Sequence, residues 1–198
     1  MQQQFLSLDL CLHRAPDDLD RLAPMVLKAE ERPVRQQPLV LRTAALSVLR
    51  PVLGWLSQDG DLVREDEIDQ IVEQLAAAAE AEDDGYQLAR FLDRRHSWAV
   101  DSQLTEILND LPYQVSRAHD RLVRIWVKLH GIRPSHGLGD IVHIRAWNKE
   151  GRIETVRGEI ISIKTDQAKY LVNCPSLGHV TEGMGCHGIY VNYESINP

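Results

Sequence analysis

No stretch of this 198-residue chain approaches the roughly 18 consecutive apolar residues that a membrane span requires. Its start, Met1-Gln-Gln-Gln-Phe-Leu, has none of the basic residues that open a secretory signal. A cytoplasmic protein with no membrane partner is the expectation. Cysteine is scarce: Cys11, Cys174 and Cys186 are an odd number at distant positions, a poor disulfide framework and a better fit to reduced thiols in a reducing compartment. Motifs with mechanical content are missing as well. There is no Gly-rich phosphate loop after a strand, no Gly-x-Ser-x-Gly elbow and no His-Glu-x-x-His. Cys186, His179 and Glu182 can be drawn as a nucleophile group, but all three lie on one short loop, which seldom holds a rigid catalytic geometry. The expectation is a protein that is not an enzyme.

What is present is ordinary in bulk and uneven in detail. An apolar fraction of 43% supplies enough material for one good core, or for a medium domain and a small one. The formal charge of -7 excludes an overall basic nucleic-acid footprint. Residues 59–84 carry eleven Asp or Glu against the single basic residue Arg64. That acidic face, with Glu65, Asp66, Asp69 and Glu73 on a predicted helix, is either solvated or docks on a basic partner.

Apolar spacing predicts helices over most of the first 130 residues. Asp17 is a fair N-cap for a helix to about Glu31, and the next helix spans Leu39 to Leu56 with Pro51 expected to kink or shorten it. Further helices are expected at 65–81, 85–95 and 102–111. Phe5 to His13 alternates with period two and reads as strand, although its leucines argue helix. Ser57 to Ile68 looks like a calcium loop, but aligning Gly60 with the obligatory glycine puts Trp55 at the first ligand position and Asp66 at the last. The same dozen residues resemble the turn of TerB-like helical domains.

The last helix, Tyr113 to Leu129, has a buried stripe of Val115, Ala118, Leu122, Ile125, Trp126 and Leu129. Arg117, Arg121, Arg124 and Lys128 recur on it at intervals of four, three and four, a basic ridge that His130 extends. Such a ridge pairs with the acidic helix, faces water, or contacts phosphates or an acidic partner.

Near Gly131 the period changes. Residues 139–147, 155–163, 169–173 and 188–192 read as short strands with turn chemistry at the breaks, and Tyr193 to Pro198 offers a fifth. A sheet so small must curl to bury a face, which predicts a five-stranded antiparallel barrel. The fold class is therefore α+β: an all-helical domain over 1–130, a short linker at 131–138 stiffened by Pro134, and a small β-barrel over 139–198. Gly139-Asp140, Gly158-Glu-Ile-Ile, Tyr170-Leu-Val and the terminal Tyr-Val-Asn-Tyr-Glu-Ser-Ile resemble small barrels of the Tudor and KOW type. The resemblance implies binding of peptides, nucleic acid or a neighbouring domain. Trp147, Tyr170 and Tyr190, with Tyr193, are candidate ring residues for such a site, with core and rim packing as the alternative.

The fifteen residues from Cys174 to Gly188 make a long loop for a small barrel. Cys174, His179, Cys186 and His187 offer the donor types that structural zinc prefers, but adjacent Cys186 and His187 strain to reach one ion. The expectation is no cofactor, with zinc as the exception to be tested. Together the residues point to an acidic interaction module that regulates or inhibits a larger protein or nucleoprotein complex. Direct nucleic-acid binding through the ridge, or metal binding through the loop, are the alternatives.

Overall fold

The computed structural model describes residues 15–28, 31–57, 63–147, 150–177 and 188–196. It is an α+β fold in which helices precede a curled, four-stranded antiparallel sheet. The chain divides into two compact units, Met1–Trp126 and Val127–Pro198. The division falls inside the last helix, a few residues before the expected boundary at 130.

The first unit holds α1 (Ala15–Val26), α2 (Pro38–Leu56), α3 (Glu65–Ala81), α4 (Gly85–His96), α5 (Ser102–Leu108) and most of α6 (Leu111–His130). The expected N-cap Asp17 lies within α1, which starts two residues earlier and stops at Val26, short of Glu31. Pro51 neither ends nor shortens α2, which continues through it to Leu56. Its eight buried residues, from Val40 to Leu53, hold the backbone helical because burying such side chains outweighs the ~3 kcal/mol penalty of an interior proline. By length and composition α2 is a helix capable of crossing a membrane, a match that averaging over its interspersed Arg42 and Arg50 permits. Here its apolar face packs inside the unit, and Arg42 is ion-paired to α3.

Caps fix the remaining helices. Asp84 accepts from the N–H groups of Tyr86 and Gln87 at 3.0 and 3.2 Å to start α4. Asp101 accepts from Leu104 N–H at 2.8 Å to start α5. Gly131 has φ of 61°, and Ile132 N–H donates to the Val127 carbonyl at 3.0 Å, a Schellman closure of α6. The buried stripe of α6 contains Val115, Ala118, Leu122 and Trp126 as expected and adds Val123 and Val127. Of the other residues expected in that stripe, Ile125 is half-buried and Leu129, in the last turn, is 45% exposed.

The sheet comprises β1 (Ile141–Trp147), β2 (Ile153–Lys164), β3 (Lys169–Asn173) and β4 (Gly188–Asn192), paired in chain order. Tyr193–Ser195, where a fifth strand was expected, forms a 3-10 turn instead. Tyr193 N–H donates to the Ala168 carbonyl, and the Tyr193 ring is buried 4.3 Å from that of Tyr170, so core packing ends the extended run. A register shift between Ile160 and Ser162 bends β2 and curls the sheet. At Gly158 a Cβ would lie 2.4 Å from Val172 Cγ1 and 2.6 Å from Cys174 Sγ, so the close approach of β2 to β3 needs glycine there. The ambiguous segment 5–13 and the 59–61 turn lie outside the described residues.

Candidate functional site

The basic ridge is partly consumed inside its own unit. Arg121 donates through Nε to Asp20 Oδ1 at 3.1 Å and through Nη2 to the other carboxylate oxygen. The Arg117 guanidinium lies 5.7 Å from the Tyr113 ring centre. Arg124 and Lys128 are exposed, and Arg124 also has a partner. His130 keeps Nε2 shielded from solvent with no hydrogen-bond partner among the described residues.

The acids of α3 meet a different arginine. Arg42 of α2 donates to Asp69 at 2.9 Å and also pairs with Glu73. Glu67 accepts from Arg64 N–H at 2.9 Å at the start of α3. The side chains of Glu65 and Asp66 lie outside the described residues.

Beside α3 is a shallow cavity of about 250 Å³, lined by Leu56, Val63, Glu67, Ile71, Gln74 and Trp98 among others. Trp55 and Trp98 stack at 6.1 Å and 13°. Their indole N–H groups are both engaged, Trp98 with Gln74 at 2.7 Å and Trp55 with both Asp101 oxygens at 3.1 Å. The Leu104 amide, and next the Trp55 indole, hold the Asp101 carboxyl below the usual carboxylate range. These contacts tie the end of α2 to α3 and to the start of α5, a structural use of the pair.

The aromatic residues of the β unit do not converge. Tyr170 is fully buried, and its hydroxyl accepts from His136 N–H at 3.0 Å. Tyr190 projects from the opposite side of the sheet, since it pairs with Leu171, the neighbour of Tyr170; Lys164 Nζ lies 4.2 Å from its ring centre. Trp147 sits beside Ile153, whereas Tyr190 is in the row of Ser162, nine residues further along β2 or about 30 Å. These rings therefore form no common cage.

Of the four thiol and imidazole residues suggested as zinc ligands, Cys174 is buried against the β2–β3 contact, and burial pushes its thiol pKa up. His179, Cys186 and His187 lie outside the described residues. Among the described residues no group of three or more His, Cys, Asp or Glu is placed to hold a metal ion.

The sheet brings together a set that sequence spacing alone did not. On β1, Ile141, His143, Arg145 and Trp147 alternate outward, while Val142, Ile144 and Ala146 are buried. The register sets Trp147 opposite Ile153, Arg145 opposite Thr155 and His143 opposite Arg157. All six are exposed, with Trp147 at 63%. Neither Arg145 nor Arg157 makes a hydrogen bond or ion pair among the described residues. Trp147 was legible as a candidate ring. Its partners were not, because they depend on pairing across the hairpin; the alternation of Ile141–Trp147 was the signal. No protein family, curated protein or solved structure matches this chain.

Proposed function

We propose that this is a non-enzymatic interaction protein whose β unit presents the binding face, acting as a regulator or inhibitor docked on a larger protein or nucleoprotein assembly. The observation that carries the reading is the outer face of the β1–β2 hairpin. It exposes Trp147, Ile141 at 49% and Ile153 at 50% beside two arginines that have no partner among the described residues, and exposed aromatic and arginine side chains are typical interface anchors. We read the curled sheet as akin to small Tudor- and KOW-type barrels, on the glycines and alternation that carry that resemblance. A cytoplasmic setting and the absence of a cofactor belong to the same proposal.

The ridge of α6 is a weaker anchor, because Arg121 is already committed to Asp20. The acidic face of α3 is weaker for the same reason, with Asp69 and Glu73 shared by Arg42. A photo-crosslinking residue placed at position 147 in the native host, with the same residue at exposed position 106 of α5 as control, tests the assignment. A discrete adduct from 147 and none from 106 is the expected result. Equal labelling from both positions contradicts it.

A further inference from the structure

We infer that the outer face of the β1–β2 hairpin binds single-stranded nucleic acid, with Trp147 as a base-stacking platform and Arg145 and Arg157 as phosphate contacts. This deepens the interaction reading above and rests on it. Three consecutive cross-strand rows make the surface: Trp147 with Ile153, Arg145 with Thr155, and His143 with Arg157. Arg145 and Trp147 are two residues apart on one strand, about 6.7 Å. Arg145 and Arg157 are diagonal neighbours across the hairpin, about 7–8 Å apart. An extended chain with one base on the indole thus has two cations within reach of the adjoining phosphates.

The charge pattern selects this occupant. The whole chain carries -7, yet these three rows contain two arginines, one histidine and no acid. Glu154 pairs with buried Ala146, so it points to the other side of the strand, and Glu159 lies one row beyond Arg157, at the end far from Trp147. Guanidinium groups suit phosphate oxygens, and an exposed ring accepts any base on its π face. Trp147 offers an exposed ring, and stacking on it needs a base whose face is free, which a single strand supplies and an intact duplex does not. Binding tolerant of sequence follows, since the face reads backbone and stacking rather than base edges.

The test is fluorescence anisotropy of labelled oligothymidylate and oligouridylate of about 12 nucleotides, against a duplex of equal length and polyglutamate as competitor. Both single strands bind, the duplex binds more weakly, and log affinity falls with log salt at a slope of about -1.4 for two phosphate contacts. Arg145→Glu or Arg157→Glu weakens binding and flattens the slope by about 0.7. Trp147→Ala weakens binding at least about fivefold, and Trp147→Phe restores most of it. Arg117→Glu in the ridge changes nothing. Circular dichroism of each variant confirms the native fold. Absence of binding at low salt, tighter binding of duplex, displacement by polyglutamate, or loss in Arg117→Glu with retention in Arg145→Glu would each overturn the inference. An adduct from position 147 that proves to be protein, with no oligonucleotide bound, overturns this inference while leaving the interaction reading intact.

Discussion

Arg121 of α6 holds Asp20 of α1 with two N–H donors on one guanidinium, 101 residues apart in sequence. The pair fixes the first helix against the last within the first unit, and it takes the middle of the basic ridge out of circulation. Both side chains are partly exposed, at 38% and 54%, so solvent screening limits what the pair contributes. A double-mutant cycle with Asp20→Ala and Arg121→Ala should return a coupling of no more than about 1 kcal/mol. A value above about 2 kcal/mol would show that the pair is far less screened than its exposure implies.

Two glycines should respond to alanine with opposite signs. At Gly158 the added Cβ meets Val172, Cys174 and the Asn173 carbonyl at 2.4–2.8 Å, so Gly158→Ala should cost about 1–3 kcal/mol or more. At Gly54, exposed on α2, it meets nothing within 4 Å, and Gly54→Ala should stabilise by about 0.5–1 kcal/mol. Urea denaturation of the two variants separates the effects. Because α2 and the sheet belong to different units, two transitions are the natural readout.

Asp101 links stability to acid. Its carboxyl is depressed by the Leu104 amide and the Trp55 indole, so the folded state favours the ionised form. Its contribution is complete above the unfolded carboxylate value of about 3.9 and is lost as pH falls through the lower folded value. Asp101→Asn should therefore flatten the stability profile below about pH 4 while leaving its shape near neutrality unchanged. Tryptophan fluorescence, sensitive to the Trp55–Trp98 stack, follows the transition.

The Cys174 thiol is buried, and its ionisation is disfavoured by that burial. The thiolate is the reactive form, so alkylation of Cys174 in the native protein should be slow and should accelerate on unfolding of the sheet. Peptide mapping after a timed iodoacetamide pulse measures it. Fast native labelling at Cys174 would contradict the packing around Gly158.

Long periodic segments were the most legible part of the fold. α3 and the strands β3 and β4 fall on the residues their apolar patterns predicted; α3 buries one face, β3 buries three consecutive residues, and β4 is half-buried. The helix starts were less so: α1 begins ahead of Asp17, and α2 tolerates Pro51 because tertiary packing overrides local preference. The fifth strand failed for a related reason, since the Tyr193 ring is drawn into the core against Tyr170 and the chain turns there. Of the candidate site, the ridge was visible as a spacing, but its engagement with Asp20 is a long-range contact that no local pattern encodes. Arg145 and Arg157, which have no partner among the described residues, become neighbours only through strand register.

On the proposed function, the outer face of the β1–β2 hairpin holds this protein to its partner. Affinity purification of the tagged protein from its native host, compared with the Arg145→Glu, Trp147→Ala double variant, tests it most directly. The expected result is a component retained by the first and lost from the second, with both proteins folded by circular dichroism. Equal retention by the two would contradict it.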